Sequence, residues 1–198
     1  MRILVACEES GVVRRAFRAK GHNAWSCDII PSADESPYHL QMDVREVLDL
    51  DWDMMIAHPP CTHLAVSGAR WFKEKPEKAL LQEEALEFVR LLMDAPVEKI
   101  CIENPISVIS TKIRKPDQII QPWQHGHEAS KPTCLWLKNL PPLVPTNIVD
   151  KGKYVVTKSG KRIPEWYNLP PSPDRAKIRS RTFEGIANAM ANQWGIDG

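Results

Sequence analysis

The sequence predicts one α/β domain whose largely parallel sheet is doubly wound, with helices on both faces. Short apolar runs alternate with segments of helical spacing through the first half of the chain, as expected when helices connect parallel strands. Acidic side chains follow several of these runs, where open α/β folds place their ligands. The length of 198 residues allows one full core and is too short for two comfortable domains.

Strands are predicted wherever four or five consecutive residues are mostly apolar, because strands buried on both faces need no polar alternation. These runs cover residues 3–7, 24–27, 53–57 and 99–102, and the segment 39–47 is predicted to hold a further strand end at Asp43. A helix is predicted over 11–20, with Gly21 in the usual stop position. A second helix follows Pro76, and its apolar stripe consists of Leu81, Ala85, Phe88, Val89 and Leu92.

The second half of the sequence is less regular. We predict strands over 119–124 and 133–137, followed by a long irregular region that begins at the proline pair 141–142. A closing helix is predicted over 182–194, with one face formed by Phe183, Ile186, Ala187, Met190 and Trp194. Residues 1–140 should therefore form the core, 141–181 an appended arm, and 182–198 a C-terminal helix that completes the core.

The predicted arm carries most of the positive charge. Residues 151–181 hold 9 Lys or Arg against 2 Asp or Glu, whereas residues 1–150 hold 17 against 21. Trp166 and Tyr167 lie among these cations, a combination suited to a phosphate backbone and stacked bases. The arm is predicted to bind nucleic acid; the alternative is a solvated loop that happens to be basic.

The five cysteines are scattered and include no Cys-x-x-Cys, which argues against a disulfide framework and against a zinc site. They favour a reducing compartment. The sequence starts directly with a strand-like run, which leaves no room for a signal peptide, and no apolar run approaches the ~20 residues of a membrane span. We therefore expect a cytoplasmic protein with no membrane partner and no bound metal.

A thiol and a carboxyl group form the strongest functional signal. The run 53–57 is followed by His58-Pro59-Pro60-Cys61, in which the proline pair can neither continue a strand nor enter a helix interior. The stiff turn is predicted to present Cys61 at the carboxyl edge of the sheet. Glu103 follows the run 99–102 in the same way, so both side chains are predicted to face one substrate.

Acidic residues also follow the first three predicted strands. The loop Cys7-Glu8-Glu9-Ser10-Gly11 would repel a pyrophosphate and suits a cofactor with a positive sulfonium and an amino group. Asp28 is placed to bind ribose hydroxyls, and Asp43 to accept a hydrogen bond from an adenine amine. The alternative for each acid is a helix N-cap or an exposed loop carboxylate.

The order of these motifs resembles that of the DNA (cytosine-5) methyltransferases, particularly the short members encoded in phages and prophages. The resemblance covers about residues 3–110 and implies a Rossmann-like fold that uses S-adenosylmethionine. The loop 7–11 takes the place of the family's Phe-x-Gly-x-Gly. Four segments carry the resemblance: the loop 7–11, the acids Asp28 and Asp43, the turn before Cys61 with Ser67-Gly68 after it, and Ile102-Glu103-Asn104.

The resemblance implies covalent catalysis. The thiolate of Cys61 adds to carbon-6 of cytosine, which makes carbon-5 nucleophilic enough to take a methyl group. Glu103 protonates ring nitrogen-3, for which its pKa has to be raised by burial. Asn104 holds the Pro-Pro-Cys turn, and the Pro60 carbonyl accepts a hydrogen bond from the exocyclic amine. The residues expected to bind the cofactor are Cys7, Glu9, Gly11, Asp28, Ile29, Asp43 and Val44.

The chain departs from the family in its substrate-binding part. The family's Gln-x-Arg-x-Arg strand corresponds to residues 121–125, which contain no arginine, and Lys131 is the expected replacement. The arm 141–181 is much shorter than the family's target-recognition region. We therefore expect DNA binding with little sequence discrimination, single-stranded DNA, or recognition supplied by a partner protein or a second copy. The expected substrate-binding residues are Ser67, Lys131, Lys161, Arg162, Arg179 and Arg181.

Three functions fit these patterns. The first is methylation of cytosine carbon-5 in DNA. The same chemistry on a free cytosine nucleotide or on RNA is the alternative, because the recognition region is short. The third is an inactive relative that binds nucleic acid.

Overall fold

The computed structural model describes residues 1–65, 76–172, 178 and 180–196. Its main strands are β1 (Arg2–Ala6), β2 (Asn23–Asp28), β3 (His39–Gln41), β4 (Met54–Ala57), β5 (Lys99–Pro105), β6 (Gln118–Ile120) and β7 (Thr133–Lys138). They form one seven-stranded sheet in the order β3-β2-β1-β4-β5-β7-β6. Strands β1 to β5 are parallel, and β7 is antiparallel to β5 and β6. The predicted single-domain α/β fold is confirmed.

The strand order reverses between β1 and β4. After β1 the chain adds β2 and β3 on one side, and then returns to add β4 and β5 on the other side. The carboxyl ends of β1 and β4 therefore flank the position where doubly wound folds bind their ligands.

Both faces of the sheet are covered, which explains the unbroken apolar runs of the central strands. All of β4 is buried, and in β1 only Arg2 is exposed. The helices are α1 (Val12–Ala19), α2 (Pro76–Met93), the short α3 (Ile109–Lys112) and α4 (Glu184–Trp194). One core cluster lies between the sheet and α2, and the other lies between the sheet, α1 and α4.

The predicted helices are confirmed, with one correction to a buried face. Helix α1 ends at Gly21 as predicted, since Gly21 has a φ of +85° and donates its N–H to the Arg18 carbonyl in a Schellman motif. In α2, Leu81 is 40% exposed, and Leu86, which the predicted stripe left out, is buried. No described helix has the length and apolar character that a membrane crossing requires. The face of α4 is buried as predicted at Ile186, Ala187, Met190 and Trp194.

The predicted ends of β6 and β5 are wrong. Strand β6 stops at Ile120, because Pro122 has no N–H to donate to a neighbouring strand and begins a 3-10 turn over Pro122–Gln124. Strand β5 continues to Pro105 instead of ending before Glu103, because β7 pairs with it that far. Glu103 and the following Asn104 are therefore strand residues, fixed by ladder hydrogen bonds.

The segment 141–181 contains more regular structure than the sequence predicts. It includes a hairpin of β8 (Tyr154–Val156) and β9 (Arg162–Pro164), followed by a 3-10 turn over Glu165–Asn168. Its beginning is tied to the core, since Trp194 Nε1 donates to the Pro141 carbonyl at 2.9 Å. The division of the chain into core and arm stays a prediction.

Gly11→Ala is expected to lower the free energy of unfolding by about 2–4 kcal/mol, because it combines backbone strain with a steric clash. Gly11 has a φ of +65°, and a Cβ there would lie 2.3 Å from Nη2 of Arg14. That guanidinium is buried in an ion pair with Asp34. Urea unfolding measures the loss.

Gly21→Ala is the matched control, since its φ is +85° and no atom of the described residues lies within 4 Å of the added Cβ. It is expected to lose only the strain, about 1 kcal/mol. Equal losses in the two variants would contradict the clash with Arg14.

Candidate active site

The turn after β4 is held in place from two neighbouring strands. Asn104 is buried in β5, and its Nδ2 donates a hydrogen bond to the Pro59 carbonyl oxygen at 2.8 Å. His58 N–H donates to the Ala6 carbonyl at 2.9 Å, which joins the start of the turn to β1. Because the two prolines contribute no amide donors, these bonds to the remaining polar groups fix the path of the turn.

Cys61 begins the next turn and is partly exposed. Its carbonyl oxygen accepts hydrogen bonds from the N–H groups of Leu64 at 3.0 Å and Ala65 at 2.9 Å. The Leu64 carbonyl in turn accepts from Val108 N–H at 2.9 Å, which ties this turn to the segment after β5. The structure thus places Cys61 just beyond the carboxyl end of β4, where the sequence predicts it.

His58 and Glu103 form a hydrogen-bonded pair beside this turn. Ala57 lies opposite Ile102 in the β4–β5 register, so His58 and Glu103, which directly follow these two residues, are also neighbours. His58 Nδ1 and Glu103 Oε2 are 2.6 Å apart, and each side chain is only 12% exposed. His58 is not among the residues predicted from the sequence to form the site. The signal for it in the sequence is that His58 and Glu103 each directly follow a predicted strand, and these two strands are adjacent and parallel.

The expected rise in the pKa of Glu103 is wrong. Burial acts in that direction, but the hydrogen bond and charge of His58, together with the charge of Lys131, lower the pKa of the carboxyl group below its ordinary value. Burial conversely lowers the pKa of His58, while the hydrogen bond and charge of Glu103 and the charge of Glu8 raise it above its ordinary value. Both shifts favour the ionised carboxylate of Glu103 and the protonated imidazole of His58.

The loop after β1 caps α1 with its own carboxylate. Glu8 is 4% exposed, and its carboxylate oxygens accept hydrogen bonds from the N–H groups of Val13 at 2.7 Å and Arg14 at 3.2 Å. These first-turn amides are the donors that a bound phosphate needs. The buried carboxylate therefore excludes a pyrophosphate from this end of the helix.

The carboxyl ends of β1, β2 and β3 surround the Cys7 thiol with negative charge. Burial, followed by the charges of Asp28, Cys27 and Asp43, raises the pKa of Cys7 to about 12. A thiol with this pKa stays protonated and does not act as a nucleophile. The loop and the two acids are thus close in space, as the predicted cofactor site requires.

Asp28 and Asp43 are partly engaged within their own loops. Strand β3 ends before Asp43, which was the predicted strand end, and Asp43 instead caps a 3-10 helix over Val44–Glu46. Its two carboxylate oxygens accept from the N–H and the guanidinium of Arg45, at 3.0 and 2.9 Å. Asp28 Oδ1 accepts from Ile30 N–H at 3.2 Å. Since each carboxylate oxygen has two lone pairs, these bonds leave acceptor capacity for a ligand.

An open cavity of about 440 Å³ lies next to the loop after β1, within the size range of small-molecule sites. His58 lines this cavity and also bonds Glu103, so it connects the cavity to the carboxylate. Of the predicted cofactor residues, Cys7 and Glu9 line the cavity. Its described lining consists of residues 7–10, Arg15, Ala33, Asp34, His58 and residues 180–182. The predicted cofactor residues outside that described lining are Gly11, Asp28, Ile29, Asp43 and Val44.

Lys131 lies near the pair of His58 and Glu103. Its positive charge contributes to the lowered pKa of Glu103. Its Nζ is also 5.8 Å from the ring centre of Trp166 and 5.9 Å from that of Phe183. Lys131 therefore connects the pair to the 3-10 turn that follows the hairpin.

The other predicted substrate-binding residues lie in different places. Arg162 is in β9 with its guanidinium 4.6 Å from the ring centre of Tyr154, and Lys161 directly precedes that strand. Arg181 lines the 440 Å³ cavity. Ser67 and Arg179 lie outside the described residues.

Comparison with known proteins establishes the fold. No model of a known protein family matches the sequence, and no curated protein matches it. A protein assigned as a DNA modification methyltransferase, encoded within an E. coli prophage, is 15% identical with a TM-score of 0.50. The match covers 77% of this chain and 53% of that one.

A second solved structure, the methyltransferase EhMeth of Entamoeba histolytica, is 17% identical with a TM-score of 0.51. Here the match covers 78% of this chain and 58% of that one. The chain thus spans little more than half the length of these two proteins. At these identities the likeness shows that the chain has the α/β fold of these methyltransferases.

Asn104→Ala is expected to lower the free energy of unfolding by about 2 kcal/mol, because the buried Pro59 carbonyl loses its partner. Urea unfolding measures this loss. Asn139→Gly is the control, since it removes an exposed hydrogen bond of 2.9 Å to the Glu98 carbonyl and keeps the positive φ accessible. The control should lose less than about 1 kcal/mol. A loss in Asn104→Ala no larger than in the control would show that Asn104 does not hold the turn.

Proposed function

We propose that the protein is an S-adenosylmethionine-dependent methyltransferase that methylates carbon-5 of cytosine in DNA through a covalent adduct with Cys61. The observation that carries this proposal is the hydrogen bond from Asn104 Nδ2 to the Pro59 carbonyl oxygen. It joins the turn that presents the thiol to the strand that holds Glu103. The fold and the order of the sequence motifs support the same chemistry.

Cys61 is the proposed nucleophile. Its thiolate adds to carbon-6 of the base, the C–S bond forms, and the electron pairs of the ring shift so that charge collects at nitrogen-3. Carbon-5 then becomes part of an enamine and is nucleophilic. After methylation a base, here water, takes the carbon-5 proton, and loss of the thiolate then restores the aromatic ring.

Glu103 and Pro60 are proposed to recognise the edge of the base. His58 holds Oε2 of Glu103, which leaves Oε1 to face the edge formed by nitrogen-3 and the exocyclic amine. The Pro60 carbonyl accepts a second hydrogen bond from that amine. Lys131 reduces the net negative charge beside the ring. It takes the place of the arginines of the family's Gln-x-Arg-x-Arg strand, which residues 121–125 lack.

S-adenosylmethionine fits the residues at the ends of β1, β2 and β3. The acidic surroundings of Cys7 suit its positive sulfonium and amino group, and the internal cap from Glu8 leaves no phosphate site at α1. When bound, this cofactor supplies an electrophilic methyl group. Ile29, which is 72% exposed, offers an apolar surface for the adenine ring. The residues proposed to hold the cofactor are Cys7, Glu9, Gly11, Asp28, Ile29, Asp43 and Val44.

DNA is the proposed substrate because the segment 151–181 is strongly basic and aromatic. The segment 141–181 has only about forty residues, much less than the family's target-recognition region, so little sequence discrimination, single-stranded DNA, or recognition by a partner protein or a second copy is proposed. The same limited recognition region favours a free cytosine nucleotide or RNA as the second candidate substrate.

Cys61→Ser should abolish the covalent adduct with DNA that contains 5-fluorocytosine, because fluorine at carbon-5 blocks the proton loss that releases the thiolate. Denaturing gels in the presence of S-adenosylmethionine, with single-stranded and duplex DNA, measure the adduct. Cys134→Ala, a buried cysteine of β7, is the control and should retain it.

An adduct with the free nucleotide or RNA alone would shift the proposal to the second candidate. Salt-sensitive DNA binding without any adduct would instead support an inactive binding protein.

Neutralising Lys161, Arg162, Arg179 and Arg181 to glutamine should weaken DNA binding and flatten its salt dependence by roughly one unit of slope for each lost phosphate contact. A second variant has only Lys161 and Arg162 replaced, because Arg181 lines the cavity proposed to lie beside the cofactor. In this second variant, cofactor affinity should stay within about threefold of that of the unmodified protein. Fluorescence anisotropy at several salt concentrations measures the slope.

The double variant of Lys112 and Lys115 to glutamine is the control, since both are exposed and lie between β5 and β6. DNA affinity that falls equally in the control and in the double variant of Lys161 and Arg162 would show a general charge effect and no binding arm.

A further inference from the structure

The imidazole of His58 has two ring nitrogens in different surroundings. Nδ1 is 2.6 Å from Glu103 Oε2, whereas Nε2 is buried without a hydrogen-bond partner among the described residues. The side chain also lines the cavity beside the loop 7–10. His58 therefore touches both the carboxylate proposed to contact the base and the cavity next to it.

We propose that His58 is a positioning residue of the active site: its Nδ1–H fixes one carboxylate oxygen of Glu103 so that the other faces the base, and the charged pair takes up one proton from solution when cytosine binds. This role rests on the proposed function, because it requires cytosine beside Glu103.

The charged groups around the imidazole determine which partner donates. Glu103 and Glu8 act on the ring with negative charge, and Lys131 acts with positive charge. A neutral imidazole with a bare Nδ1 would face the carboxylate lone pair to lone pair, which is repulsive. With Glu103 ionised, as its lowered pKa favours, Nδ1 carries a proton and donates it to Oε2, and the separation of 2.6 Å fits such a charge-assisted bond.

The chemistry of cytosine then requires a further proton. The edge of the base presents nitrogen-3 as an acceptor and the exocyclic amine as a donor. A carboxylate oxygen and nitrogen-3 both only accept hydrogen bonds. The free oxygen of Glu103 can therefore contact nitrogen-3 as well as the amine only if one proton is added between that oxygen and nitrogen-3. The solvent supplies that proton on binding, and the imidazolium keeps its own.

This proton serves the addition step. When the Cys61 thiolate forms its bond to carbon-6, the electron pair displaced through the ring arrives at nitrogen-3, where the proton neutralises it. The addition needs no further acid, because the proton at nitrogen-3 cancels the negative charge that the thiolate brings to the ring. His58 keeps the carboxylate ionised until a base is present, so the proton enters with the substrate.

A histidine-labelled NMR titration tests the pair directly and without turnover. At a pH just above the usual imidazole pKa of about 6.5, the His58 ring is expected to be protonated on both nitrogens, because the hydrogen bond and charge of Glu103 raise its pKa. Glu103→Gln should return the ring to the neutral form at this pH, while Glu98→Gln, at an exposed position just before β5, should not. A neutral His58 ring in the unmodified protein would overturn the proposal.

The pH dependence of adduct formation with 5-fluorocytosine DNA tests the positioning role. His58→Asn places an uncharged N–H near the Nδ1 position, so its rate should fall by less than about tenfold, whereas His58→Ala should fall by roughly 10²-fold. In His58→Asn, burial without the imidazolium raises the pKa of Glu103. The decline of the rate at high pH should therefore begin at a higher pH than in the unmodified protein.

The outcomes separate this role from the proposed function. An adduct whose pH profile is the same in His58→Asn and in the unmodified protein would overturn the role of His58 and leave the cytosine chemistry intact. Absence of an adduct with any cytosine substrate would overturn the proposed function and, with it, the proton uptake. Thermal unfolding of each variant checks that it is folded.

Discussion

The parallel pairing of β4 with β5 is the constraint on which the candidate site depends. Ala57 faces Ile102 in this ladder, so the two residues that follow, His58 and Glu103, are neighbours although 45 positions separate them in sequence. A slip of one residue would turn the side chains of one strand to the opposite face of the sheet. Successive side chains of both strands pack into two different core clusters, one on each face of the sheet, so a slip would disrupt the packing of both clusters. The core thereby fixes the geometry of the site.

The charged pair at this edge is costly for a folded protein. Removing two ions from water costs several kcal/mol each, and their attraction repays this only with good geometry and further hydrogen bonds. The pair has a short hydrogen bond and two further charges nearby, Glu8 and Lys131. Yet Nε2 of His58 is buried with no partner among the described residues. An incompletely satisfied buried ion is poorly explained by stability, and perturbed ionisable groups of this kind concentrate at functional sites.

The loop after β1 shows how a fold can select the class of its ligand. The first amides of a helix in this position commonly bind phosphate, because they point out of the chain without partners. In this protein Glu8 occupies them, and acidic groups surround Cys7. The same crevice therefore disfavours anions and suits a cationic ligand. The fold shared with the two methyltransferases does not by itself decide this; the carboxylate of Glu8 does.

Local chemistry allowed several features to be predicted from the sequence. The apolar runs predicted the central strands, Gly21 marked the end of α1, and the proline pair located the turn that presents Cys61. These predictions succeed because each depends on residues that are adjacent along the chain.

Only the tertiary structure decided how distant residues act on one another. Pairing with β7 extends β5 through Glu103, and the β4–β5 register places His58 next to the Glu103 carboxylate. The imidazole then lowers the pKa of Glu103, which the sequence predicts to be raised. Burial was foreseeable from the sequence, but the opposing imidazolium was not, since strand register depends on packing of the whole sheet. Ionisation depends on the distance between charges, and the fold determines that distance.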